Sequence, residues 1–355
     1  MPSFIQVHWQ VRWQVRRQVR RALTGAAIAT AAILAACAEP QVIAPPPPVP
    51  AVSLSPKVIE QAAAYRRYVA TATAISPAFA DGDQVAQGVR AGAAYEPQQL
   101  LRGAIAYGAV VALQDPGFVA GVRAYATDPT QRRTIAYEIM KDPAYVIGIN
   151  GSAGAAGLVK AALADDGARL LAQGKAVRQA AYDVQRASWS KKDVADRAAR
   201  LSLAKQLSAT PLMGDTAETA RLQQAVVSTG SLGITGQAAS PPYTPIVVRS
   251  MAVAALAALG YADDASLQQV MPIMADPNAA TCLNMSKLNL YQCLAVSKPH
   301  YEDVFCLGVH SLMDTGKCVL KGAGVPEPAE PATRLTAASP VGPIPVSTGS
   351  AVKTR

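Results

Sequence analysis

Cys282, Cys293, Cys306 and Cys318 are separated by 10, 12 and 11 residues, and His300 and His310 lie among them. Thiols and imidazoles gathered this way can hold a soft metal or cross-link the chain. Zinc modules use close Cys-x₂₋₄-Cys pairs, and this segment has none. Spacings of about a dozen residues fit two disulfides of an exported protein instead, with a Cys/His metal site as the alternative. No metal and no other cofactor is expected.

The elements that carry these sulfurs restrict the pairing. Asn278 to Val296 has helical spacing, Ser297-Lys298-Pro299 stops it, and a second helix is predicted over Tyr301 to Met313. In one straight helix Cys282 and Cys293 would stand ~16 Å apart at 1.5 Å per residue, beyond the ~6 Å a bridge spans. An antiparallel hairpin gives nested pairs, Cys282–Cys318 and Cys293–Cys306. Sequential pairing in a bent, loop-like segment is the alternative. His300 falls in the turn and His310 on the second helix. The segment resembles the twin-cysteine helical hairpins stapled by two disulfides, although its spacing departs from their norm. That resemblance implies local architecture and no activity.

Other candidate chemistry is thin. Gly148, Gly151, Gly154 and Gly157 fit neither the dinucleotide nor the Walker pattern, so they read as a turn or a small-residue packing face. Asp81 and Asp83 flank Gly82 as a turn, and Asp165-Asp166 and Asp263-Asp264 read as solvated helix positions or caps. No Gly-x-Ser-x-Gly elbow occurs. Ser228 to Tyr243 is a long irregular stretch without His, acid or Cys. Such a stretch can bind something but can hardly catalyse.

The fifth cysteine has a different context. Arg12, Arg16, Arg17, Arg20 and Arg21 precede an uncharged, Ala-rich run from Ala22 to Ala36. A basic region, a short apolar region and small residues at the cut make a secretory signal. With Leu34-Ala35-Ala36-Cys37 it resembles a bacterial lipoprotein signal. The resemblance implies diacylglycerylation and palmitate on Cys37, cleavage before it, and membrane attachment through that N-terminal lipid. Two acyl chains anchor stably where one is marginal. Ala38, in place of an inner-membrane retention Asp, favours the outer membrane, facing the periplasm. Upstream, a Gln-Val-x-x repeat over Gln6 to Arg21 reads as a short expansion before the true start.

Five of the 33 basic residues precede Cys37 and none of the 24 acidic ones do, so the formal +9 falls to 28 against 24, or +4, beyond the leader. That is too weak and dispersed for nucleic-acid binding. The expected organisation is a signal peptide at 1–36, a lipidated Pro-rich tether at 37–56, a helical domain at 57–321 and a disordered tail at 322–355. Helices are predicted over Lys57 to Ile75, Pro97 to Leu113 and Ile246 to Leu259, with further starts at Pro116, Pro129 and Pro143. Leu163, Leu170, Val177 and Val184 keep a seven-residue seam. Ser190 with Asp193 reads as a capping box for a helix through Leu207, and Asp215 with Glu218 as another. The fold class is all-α, a helical bundle or array with a stapled C-terminal hairpin. The function expected is a lipid-anchored envelope scaffold, assembly factor or binding partner, more a non-enzyme than an enzyme. The alternative is a cell-envelope hydrolase using carboxylates that the fold brings together.

Overall fold

The computed structural model describes residues 51–328. Cys37, the expected signal peptide, most of the expected tether and residues 329–355 lie outside the described residues. Seven helical segments begin with one device, a capping side chain followed at once by proline: Ser55-Pro56, Glu96-Pro97, Asp115-Pro116, Asp128-Pro129, Asp142-Pro143, Thr244-Pro245 and Asp276-Pro277. The capping oxygen accepts an otherwise unpaired first-turn amide. The proline has no N–H to lose and a φ already set for a helix.

In chain order the elements are α1 Pro56–Thr73, α2 Gly82–Ala93, α3 Pro97–Ala112, α4 Pro116–Arg123, α5 Pro129–Lys141, a 3₁₀ helix Pro143–Gly148, α6 Ser152–Asp183, α7 Arg197–Ala209, α8 Thr216–Val226, α9 Pro245–Leu259, the single turn α10 Leu267–Val270, α11 Pro277–Val296, α12 His300–Cys306, a π turn Leu307–Met313 and α13 Asp314–Ala323. No strand occurs among the described residues. The protein is all-α.

Thirteen of the fifteen residues of α9 are buried, so it has no solvent face and forms the centre of the core. Arg249 donates to the Ile273 carbonyl at 2.9 Å. Thr244 caps the helix, and Gly260, at φ +78, ends it in the left-handed conformation that glycine adopts without strain. The first helix docks on this centre before it begins. Leu54 is buried, the Ser53 amide donates to the Ala257 carbonyl at 3.1 Å, and the Ser55 amide donates to the Ala262 carbonyl at 2.7 Å. The last residues of the Pro-rich stretch therefore belong to the packed domain.

On α6 the seam residues Leu163, Leu170 and Val177 are fully buried, and Val184 lies just past the helix end. The helix expected from Ser190 starts at Arg197 instead, capped by Asp196 through the Ala199 amide at 2.8 Å. Ser190 is buried and donates to the carbonyls of Val184 and Ala187, so its hydroxyl closes the end of one helix and does not open the next. Asp215 does cap α8, from the amides of Ala217 and Glu218, while Glu218 faces two arginines.

The hairpin forms from α11 and a second arm longer than expected. That arm passes Met313 through the π turn and ends at Ala323, where Gly324 at φ +69 caps it. It packs on α6 with very close backbone approach. A Cβ at Gly316 would stand 2.7 Å from the Leu171 amide nitrogen and 2.9 Å from the Gly167 carbonyl oxygen; one at Gly174 would stand 2.6 Å from the Met313 nitrogen and 2.8 Å from the Gly308 oxygen.

Alanine at a free helix-interior glycine gains up to about 1 kcal/mol. At Gly174 the expected sign is reversed. Gly174→Ala should lose roughly 1–3 kcal/mol in thermal unfolding followed by circular dichroism, because backbone must move. Gly148, with nothing within 4 Å of an added Cβ, should tolerate alanine to within about 0.5 kcal/mol. A gain in stability at Gly174 would contradict the close approach.

Candidate functional site

The structure joins Cys282 to Cys318 and Cys293 to Cys306, with Cα atoms 5.7 and 5.6 Å apart. Cys306 and Cys318 are buried and their partners half-buried. Two arginines of α7 fix the turn between the arms. Arg197 donates to the carbonyls of Ala295, Val296 and Ser297, and Arg200 to those of Leu294 and Ser297. Residues 190–194 lie alongside: the Val194 amide donates to Lys298, that of His300 to Lys192, and that of Tyr301 to Ser190. The arginine bonds satisfy orphan carbonyls at the end of α11. His310 pairs with Asp314 at 2.9 Å, and His300 lies against Trp189 and Gly82. Among the described residues no group of three or more His, Cys, Asp or Glu is placed to hold a metal.

The cleft with the richest chemistry lies beside that turn. It has a volume of about 240 Å³ between α2 and α7, which run side by side in the same direction. Ala86, Val89, Leu203 and Leu207 make its walls, and His300, Arg200 and Asp303 close one end. Arg200 and Asp303 form an ion pair at 2.5 Å, their side chains only 9% and 3% exposed. Ser297 donates to the same carboxylate oxygen at 2.7 Å. Burial pushes the Asp303 carboxyl up, against the opposing pull of Ser297 and Arg200.

At the other end, Ser208 and Lys287 both donate to the Ala93 carbonyl that closes α2, at 3.0 and 2.6 Å. A cation there complements the negative end of the helix dipole. The Lys287 ammonium also lies 3.4 Å from the centre of the Tyr95 ring. Burial nevertheless lowers its pKa well below the ordinary lysine value, with Glu96 acting in the opposite sense. The Tyr95 hydroxyl shares hydrogen bonds with Ser286 and Thr315, and burial pushes it up to about 12. No feature of local sequence separates Lys287 from a solvated lysine, since its partners lie about two hundred residues away.

Two carboxylates do converge elsewhere. Asp166, expected on a solvated face, is buried, and meets Arg66 at 2.5 Å and Arg169. Glu218 reaches the Arg66 Nε at 3.4 Å, and the guanidinium stacks 4.8 Å from the centre of the Tyr107 ring. Burial alone would lower the Arg66 pKa, but Asp166, Tyr107 and Tyr65 raise it. The cation sits between the two acids and holds α1, α6 and α8 together.

The remaining candidates are structural. Asp81 caps α2 through the Gln84 amide, and Asp264 accepts from Ser55 at 2.5 Å. Gly157 lets the Gln237 backbone approach α6, and Gly151 adopts φ +85 beside Phe118. The loop from Ser228 is pinned by Gln114, which donates to the Ala225 carbonyl and accepts from the Leu232 amide. Beside it Arg123, Pro116 and Ser228 to Ser231 line an open recess of about 720 Å³.

Compared with family models, curated proteins and solved structures, the chain matches none.

Between the folded Lys287 pKa and about 10.5 the unfolded chain binds one proton more than the native protein, so stability rises with pH across that window. Chemical denaturation between about pH 7 and 10 should show this rise in the wild type and a flatter curve in Lys287→Met. An identical slope in both would remove Lys287 as its source.

Proposed function

We propose that this chain is a lipid-anchored helical protein of the bacterial envelope, carried on the outer membrane through Cys37 and facing the periplasm, where it serves as a scaffold or binding partner. The observation that carries this reading is the pair of bridges clamping the hairpin. Bridges of this kind form and persist in oxidising compartments, and they lie downstream of Leu34-Ala35-Ala36-Cys37. A palmitoylated, diacylated Cys37 would place the helical domain at the end of a proline-rich spacer.

A binding role also draws support from α11. Its outer face exposes Met285, Leu288 and Val296, and the one charged side chain of that helix, Lys287, is turned inward. A rigid, charge-poor helix face suits contact with protein better than turnover of a small substrate. The buried ion pairs tie helices together, as scaffolds need.

Metabolic labelling with a fatty-acid analogue tests the anchor. The wild type should be tagged and sediment with membranes, and Cys37→Ser should be untagged and released. Equal labelling of both proteins would overturn the lipoprotein reading.

A further inference from the structure

Glu327-Pro328-Ala329-Glu330-Pro331-Ala332 is one triplet written twice. A polyproline II helix has three residues per turn and rises about 3.1 Å per residue, so a triplet repeat in that form keeps each residue type on its own side. Its two acids stand about 9 Å apart on one face. The prolines preset the backbone for this form and stiffen it.

The start of the repeat is already pinned. Gly324, at φ +69, reverses the chain after α13, the Val325 amide donates to the Leu320 carbonyl at 3.0 Å, and Glu327 pairs with Lys317 at 3.3 Å. The chain therefore runs back along the hairpin arm, from its end at Ala323 toward the π turn.

Ahead of it lies a seam between that arm and α6. On α6 Leu163, Leu170 and Val177 face the core and Gly167 and Gly174 meet the arm. Ala168, Leu171, Lys175, Arg178 and Tyr182, spaced three and four residues apart, occupy the next flank. There Leu171, Met313 and Leu320 form a buried apolar cluster separate from the main core, with Val309 and Val325 packed against it. Val325 brings the returning chain onto this cluster.

The direction of travel then sets what the repeat meets. Gly167 lies beside Gly316 and Gly174 beside Gly308, so α6 and the arm are antiparallel, and a strand advancing from Lys317 passes Leu171 and then Lys175. One polyproline turn past Glu327 carries Glu330 toward Lys175, whose side chain leans back toward the start of α6. Further along the same flank Tyr182 and Phe305 meet edge to face at 6.4 Å. Aromatic surfaces of this kind dock polyproline segments, which lose little entropy on binding because they are already extended.

We propose that residues 329–332 continue as a polyproline II strap in this seam, with Glu330 on Lys175 and Pro331 turned toward Phe305. The occupant is this chain's own tail, selected by two acids one turn apart facing two cations, Lys317 and Lys175. The strap closes the outer side of the contact between α6 and the arm. It is independent of whether Cys37 carries lipid.

Zero-length carbodiimide cross-linking of the full chain, read by peptide mass spectrometry, tests it, because the reagent joins only a carboxylate and an amine in contact. Glu327 with Lys317 is the internal standard. Glu330 should link to Lys175 in comparable yield, and an equal mixture of unlabelled and isotope-labelled protein should show the link within one chain. One alanine added after Pro328 turns Glu330 a third of a turn off the shared face. It should cut the Glu330–Lys175 yield at least five-fold and leave the standard unchanged. Because the insertion lies beyond α13, circular dichroism should show the same helix content as the parent. No link between Glu330 and Lys175, equal linking to distant lysines such as Lys57 and Lys141, links between chains, or a yield unmoved by the insertion would each overturn the proposal.

Discussion

The close approach of α6 and the second arm of the hairpin is the contact on which the rest of the architecture depends. Helix axes ordinarily pack about 8–10 Å apart, set by the side chains between them. Here glycines face each other in reciprocal pairs, Gly167 with Gly316 and Gly174 with Gly308, and the backbones meet. The paired positions are seven residues apart on α6 and eight on the hairpin arm. The π turn over Leu307–Met313 overlaps that longer interval and takes up the extra residue, keeping both pairs in register. The two disulfides then fix α11 to the arm that α6 already holds. On the adjoining face α6 carries α1, through Arg66 on Asp166, and the turn that follows it, through Gln173, which donates to the Ile75 carbonyl.

Charge inside this protein serves geometry. A buried ion pair adds little net stability over well-packed apolar residues, yet removing one partner is expensive, because the other is left uncompensated. Arg200 with Asp303 sets where α7 meets the hairpin turn, and Arg66 with Asp166 and Glu218 sets how α1, α6 and α8 meet. Lys287 is the exception, with a carbonyl and an aromatic ring in place of a carboxylate. Its depressed pKa follows from that choice.

Features that depend on neighbouring residues are legible in the sequence. A capping side chain before proline marks helix starts at Pro97, Pro116, Pro129 and Pro245, and the all-round apolar run after Thr244 marks the core. The hairpin with its nested bridges follows from helix rise and bridge reach. Features that depend on distant partners are not. Ser190 and Asp193 have capping-box spacing, but the hydroxyl turns back to Val184 and Ala187 and α7 waits for Asp196. The second helix is predicted to end at Met313, yet it runs on through Gly316 to Ala323, packed on the backbone of α6. Asp166 looks solvated because Arg66 is a hundred residues away. The cleft is invisible for the same reason: its walls come from α2 and α7 and its floor from the hairpin.

Native-state hydrogen exchange tests the central contact most directly. If the hairpin arm and α6 form one backbone-to-backbone unit, amides near Gly167, Gly174, Gly308 and Gly316 should exchange together, at the rate of global unfolding and slower than those of α5 or α8. Exchange of the 308–316 segment through an independent opening, while α6 stays protected, would contradict it.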